Sequence, residues 1–189
     1  MKEFISRIGK NTLEDLTAVI CNLSGYSDSK IDYPSFSKAK KDDGVPAEWF
    51  YSVTNGSVNF SELSAIHMYV QQEAIFEEIG ELMLGIGIVE MQHYGKLNEF
   101  VCKLGGKITQ TFKTTAVEAG KDIPDALKIA ISGEQATIDE YERIVNKVSS
   151  VGESKTAEIA LQLLNKLIAD ERKHIELLTE KLKEYEQPE

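Results

Sequence analysis

The sequence predicts an all-α protein, a four-helix bundle preceded by an irregular N-terminal arm. Three observations predict it. After about residue 58, four long stretches carry apolar residues at helical spacing, and no alternating strand pattern persists anywhere. The stretches also pair, because Ser61-Glu62-x6-Tyr69 recurs as Gly133-Glu134-x6-Tyr141, a weak repeat in which a helical hairpin is used twice. Between the hairpins lies a polar stretch, Gly105–Asp122. Its roughly 18 residues could span up to about 60 Å, enough to run back along a bundle.

Taken in order, residues 1–57 form the arm and 58–189 the bundle. In the arm, Asn11-Thr12-Leu13-Glu14-Asp15 can cap a short helix through about Leu23. Residues 24–46 then read as loop, dense in turn formers. Trp49, Phe50 and Tyr51 follow Pro46 and are expected to pin the arm onto the bundle; a dimer contact is the alternative. Asn55-Gly56 marks a turn before the first long helix, about Asn59–Phe76. The second helix runs about Glu78–Lys103 and stops at Leu104-Gly105-Gly106. Its Gly80, Gly85 and Gly87 permit close helix packing or a subunit contact. The third helix runs about Pro124–Ser149, with Asp122 or Ile123 near the N-cap and Pro124 in the first turn. The fourth runs about Ser154–Glu186, with Pro188 beyond it. Met68, Met83 and Met91 read as core or boundary packing.

Composition narrows the function classes. The 189 residues hold 31 acidic and 21 basic side chains, a formal charge of −10. That balance argues against nucleic acid and against an anionic membrane surface, both of which draw on surplus Lys and Arg. The start, MKEFISRIGKNTLEDL, has no continuous apolar run, so no secretory leader is expected, and no stretch is apolar for long enough to span a membrane. Cys21 and Cys102 stand alone, 81 positions apart, which excludes C-x-x-C redox or metal pairs. A reducing, cytoplasmic setting is expected.

The chemistry lies in two Glu-x-x-His units, Glu90–His93 and Glu171–His174. Residues i and i+3 share a helix face, so each unit can present an oxygen and a nitrogen to one ion. Helical bundles build dinuclear sites from two such units plus one Glu from each of two other helices. Glu62 and Glu134 supply that upstream pair, and Tyr69 and Tyr141 lie on their faces two turns along. Two residues level with each other in an antiparallel hairpin must be equidistant from its turn. The midpoint of Glu134 and Glu171 falls at 152–153, in the turn sequence Ser149-Ser-Val-Gly152-Glu-Ser154. The midpoint of Glu62 and Glu90 falls at Phe76, a weaker signal with Gly80 nearby. One long crossover joining two hairpins is the ferritin-like connectivity. His67 should point away from the site, and Glu73 should be solvated near the hairpin turn. Hard oxygen and nitrogen donors suit iron or manganese, and donor type alone does not exclude zinc.

The paired Glu-x6-Tyr and Glu-x-x-His units resemble the rubrerythrin branch of the ferritin-like superfamily. The stretch SELSAIHMYV with IGIVEMQHYGKLNEFVCKLGG is similar to short bacterial rubrerythrin-like proteins, and manganese catalases are a more distant likeness. The resemblance covers about residues 58–184; within the arm, only Tyr33-Pro34 is shared with such proteins. It implies that Glu62, Glu90, His93, Glu134, Glu171 and His174 ligate two iron ions, alternatively two manganese ions, with Tyr69 and Tyr141 near the metals. Rubrerythrins also carry a rubredoxin-type iron site with two C-x-x-C pairs, which this sequence lacks, so electrons would come from an external rubredoxin-like protein. Where they have an extra carboxylate three residues after the third-helix Glu, this chain has Thr137.

The expected activity is therefore oxidoreduction of hydrogen peroxide or dioxygen at a dinuclear centre, as a peroxidase with an external donor. Catalase-type disproportionation at manganese is one alternative. Fe(II) oxidation and iron handling, or a non-enzymatic metal-binding bundle, are the others. A homodimer is expected.

Overall fold

The computed structural model describes residues 22–54, 61–108 and 117–186. Four long helices make an all-α bundle: α1 (Glu62–Ile75), α2 (Gly80–Lys103), α3 (Ile123–Ser149) and α4 (Lys155–Glu186). The helix start expected at Asn59 lies outside the described residues, and within them Ser61 is the N-cap. Helices α1 and α2 pack as one antiparallel hairpin, and α3 and α4 as the other.

Both turns sit where equal spacing from the glutamates requires. In the first hairpin, Phe76 leaves the helical region at φ −115°, ψ 86°, and a 3-10 turn, Glu77–Ile79, leads into α2. In the second, Gly152 adopts φ +81°, a left-handed conformation natural to glycine. Helix α3 starts where Asp122 accepts the Asp125 backbone N–H at 2.9 Å. Helix α4 starts under Ser154, whose Oγ accepts the Ala157 N–H at 3.1 Å. Asp43 of the arm takes the Thr156 N–H at 3.0 Å and so caps the same end.

Among the described residues, one side chain ties the start of α3 to the end of α1. Buried Gln72, near the end of α1, donates from Nε2 to the Ala119 and Ala126 carbonyls, at 3.2 and 3.0 Å. The start of α3 therefore lies beside the end of α1, although α2 finishes a helix length of about 36 Å away. Helices α2 and α3 are therefore parallel.

Two apolar clusters occupy the two ends of the bundle. One joins the first turns of α2 and α3 with the end of α4, through Ile79, Met83, Ile86, Leu127 and Leu178. The other joins the last turns of α2 and α3 with the start of α4, through Leu97, Phe100, Ile144, Leu163 and Leu164. Helix α1 is only 14 residues long and does not reach this second end. The arm fills it: Phe36, Val45, Phe50 and Val53 are buried there, and Phe50 meets Phe100 edge-on at 5.3 Å. Trp49 and Tyr51 are half-buried against the same cluster.

Three expectations need correction. Residues 24–46 are more than loop, since a 3-10 turn at Phe36–Lys38 carries Phe36 into the core. Met91 is neither core nor boundary packing; it is 47% exposed. Gly85 makes room for the arm rather than for a neighbouring helix, because the Tyr26 ring lies where its Cβ would be. The helix expected from Asn11 falls mostly outside the described residues, which begin with a short 3-10 turn, Leu23–Gly25. No helix among the described residues is long and apolar enough to cross a membrane.

Candidate metal centre

Between the two apolar ends lies a polar layer to which each helix contributes. Helix α1 presents Glu62 in its first turn, α2 presents Glu90 and His93, α3 presents Glu134, and α4 presents Glu171 and His174. All six are at most 2% exposed. They form two quartets: Glu62, Glu90, His93 and Glu171, then Glu90, Glu134, Glu171 and His174. Within each quartet, one ligand atom per residue lies within 4.8 Å of the others. Glu90 and Glu171 belong to both quartets. His67 and Glu73 are exposed, away from this layer.

The donors aim inward. His93 Nδ1 faces Glu171, Glu90 and Glu62 at 3.3, 3.5 and 3.6 Å. His174 Nδ1 faces Glu90, Glu171 and Glu134 at 2.9, 3.0 and 3.6 Å. The two rings stack at 5.9 Å. Both oxygens of Glu62, Oε1 of Glu171 and Nδ1 of His93 find no hydrogen-bond partner among the described residues. Buried polar atoms without partners are rare and costly. Lone pairs converging in this way fit a pair of cations. Tyr69 donates its hydroxyl to Glu134 Oε1, whereas the buried Tyr141 hydroxyl has no hydrogen-bond partner among the described residues.

Residues 61–187 match the ferritin family through its ferritin-like domain. The chain belongs to the ferritin-like family. Its fold is similar to that of Rhodobacter capsulatus bacterioferritin, a structure with a metal-free dinuclear site and haem iron. That likeness has a TM-score of 0.66 at 21% identity, over 77% of this chain and 88% of the other. No curated protein matches.

The electrostatics of this ferritin-like centre are those of crowded carboxylates. Burial, then the neighbouring Glu90, holds Glu62 well above the usual carboxylate range. Burial, then Glu171, does the same to Glu134. Burial also opposes charge on Glu90, but His93 and His174 outweigh it and hold its pKa low. Burial pulls both histidines down, and the surrounding carboxylates more than reverse this. Burial, then Glu134, drives the Tyr69 phenol up.

Four residues around the centre were given no role at the site by the sequence reading. Asp170 bonds His93 Nε2 at 3.0 Å, and it is held in turn by Lys166, Ser27 and Tyr33. A signal existed for two of them. Lys166 and Asp170 fall on the same stripe as Leu163, Leu167, Glu171 and His174, where a polar side chain must be buried and paired. Ser27 and Tyr33 come from the arm, where no periodicity points to a contact.

Proposed function

We propose that this ferritin-like chain is a dinuclear iron oxidoreductase of ferroxidase type, with Fe(II) as substrate and dioxygen or hydrogen peroxide as oxidant. The observation that carries this is the pair of overlapping quartets. Glu62, Glu90, His93 and Glu171 would hold one ion, and Glu90, Glu134, Glu171 and His174 the other. Four carboxylates balance two divalent charges, and the hard donor set suits iron or manganese. The match to the ferritin family favours iron. With iron bound, the chemistry supplied is a two-electron reduction, taking dioxygen to hydrogen peroxide or hydrogen peroxide to water.

The chain's own residues set the conditions for that reduction. The apolar ends of the bundle shield the polar layer from bulk water. Tyr69 holds Glu134 through its hydroxyl and thereby fixes the carboxylate's orientation. Thr137 stands where an exchangeable extra carboxylate would be needed, and its hydroxyl donates to the Gly133 carbonyl at 3.1 Å. A ligand exchange of that kind is therefore not available to this chain, which favours Fe(II) oxidation over rubrerythrin-type peroxide reduction.

A second reading, peroxide reduction with electrons from an external rubredoxin-like donor, is favoured by the Glu-x6-Tyr and Glu-x-x-His units that resemble rubrerythrins. Anaerobic loading with Fe(II), followed by dioxygen or hydrogen peroxide, separates the two. Rapid Fe(III) formation, faster than in a protein-free control, supports the proposal. Peroxide loss only with an added donor would establish the second reading instead, and oxygen release from peroxide without reductant would overturn both.

A further inference from the structure

The centre is asymmetric although the repeat that builds it is not. On the His93 side, Nε2 meets Asp170 Oδ2 at 3.0 Å. Asp170 is fully buried and accepts four further hydrogen bonds. Ser27 Oγ, the Asp28 backbone N–H and Lys166 Nζ donate to Oδ1 at 2.9, 2.6 and 2.8 Å. The Tyr33 hydroxyl donates to Oδ2 at 3.2 Å. Buried Lys166 spends its other N–H groups on Ser27 Oγ at 2.9 Å and the Asp28 carbonyl at 2.6 Å, and it lies 5.2 Å from the Tyr33 ring centroid.

This saturated network fixes a tautomer. Asp170, surrounded by donors, acts as acceptor, so the proton that His93 keeps when Nδ1 ligates a metal is the one on Nε2. The Nδ1 lone pair is then left facing Glu62, Glu90 and Glu171. On the other side, His174 Nδ1 faces its carboxylates, but Nε2 has no hydrogen-bond partner among the described residues. The sequence explains the difference. Asp170 directly precedes Glu171, whereas the residue directly preceding Glu90 is Val89, an apolar core side chain.

We propose that Asp170, locked in place by the arm segment 27–33, is a positioning residue that makes the His93-side quartet the tighter metal position, so that the two positions fill in order. The proposal rests on the reading that the six residues hold two metal ions. An imidazole already fixed in rotamer and tautomer loses little freedom when it ligates, and a carboxylate on its far nitrogen strengthens it as a donor. His174 has neither advantage.

Anaerobic calorimetric titration of the full chain with Fe(II) tests this. Wild type should show two classes of site, about 10–100-fold apart, the usual effect of such a carboxylate partner. His174→Ala should retain the tighter class and His93→Ala the weaker. Asp170→Asn added to His174→Ala should weaken binding by about 10–100-fold, and added to His93→Ala should leave it within about threefold. Tyr33→Phe, a milder change that decides the matter if Asp170→Asn does not fold, should weaken the tighter class by about fivefold, the worth of one hydrogen bond. A purely structural role for Asp170 would shift the melting temperature and leave the ratio of the two classes alone. Equal classes in wild type, or equal weakening of both by Asp170→Asn, overturn the proposal while leaving the dinuclear reading intact. Failure of wild type to bind Fe(II) overturns both.

Discussion

Glu90 and Glu171 stand between the two histidines and belong to both quartets, whereas Glu62 and Glu134 each belong to one. That difference predicts graded losses. Glu62→Ala should cost about one metal equivalent by mass spectrometry, and Glu90→Ala more, because a shared carboxylate serves both positions. All six positions were legible in the sequence, because Glu-x-x-His and Glu-x6-Tyr express helix geometry directly. Asp170 looks equally local, but its contacts come largely from the arm, which no spacing rule connects to α4. Gly85 shows the same limit. Its Cβ would collide with the Tyr26 ring, a contact between segments some 60 residues apart. Gly85→Ala should therefore lower stability by about 1–3 kcal/mol in urea denaturation. The loss should shrink in a Tyr26→Ala background, and an undiminished loss there would point to α2 itself.

At the scale of elements, the long helices were readable because two turns, two caps and a repeat agree with one another. Equal spacing placed a turn at 152–153, and Gly152 there has φ +81°. Gly152→Ala should destabilise by about 1 kcal/mol, visible as a lower melting temperature. The arm was harder to read. Its 3-10 turns are too short for periodicity, and Phe36 enters the core only because α1 is too short to cover the last turns of α2. Phe50, fully buried against Phe100, anchors the arm in the core. Phe50→Ala should cost about 3–5 kcal/mol of unfolding free energy. A cost below about 1 kcal/mol would mean that the arm is an appendage rather than part of the core.

For the whole molecule, the buried polar layer makes stability depend on pH and on metal together. In the metal-free protein, Glu62, Glu134, His93 and His174 all hold protons more tightly folded than unfolded. Their stabilisation is thus lost as pH rises: from the ordinary carboxylate range upward for the glutamates, and through the raised pKa for the histidines. Asp170 behaves oppositely. Burial would raise its pKa, but the His93 and Lys166 contacts bring it down to about 2, so its contribution holds above the ordinary 3.8 and is lost as pH falls through about 2. The metal-free melting temperature should therefore fall from mildly acid to alkaline pH. Metal ions displace the same protons, so the thermal shift on adding Fe(II) under anaerobic conditions should grow between about pH 6 and about pH 8. All of this depends on six side chains from four helices holding two ions. The most direct measurement is the iron stoichiometry of the anaerobically loaded protein beside His174→Ala. About two ions per chain in wild type and about one in the variant is the predicted result; near-zero iron in wild type, or both ions retained in the variant, would contradict it.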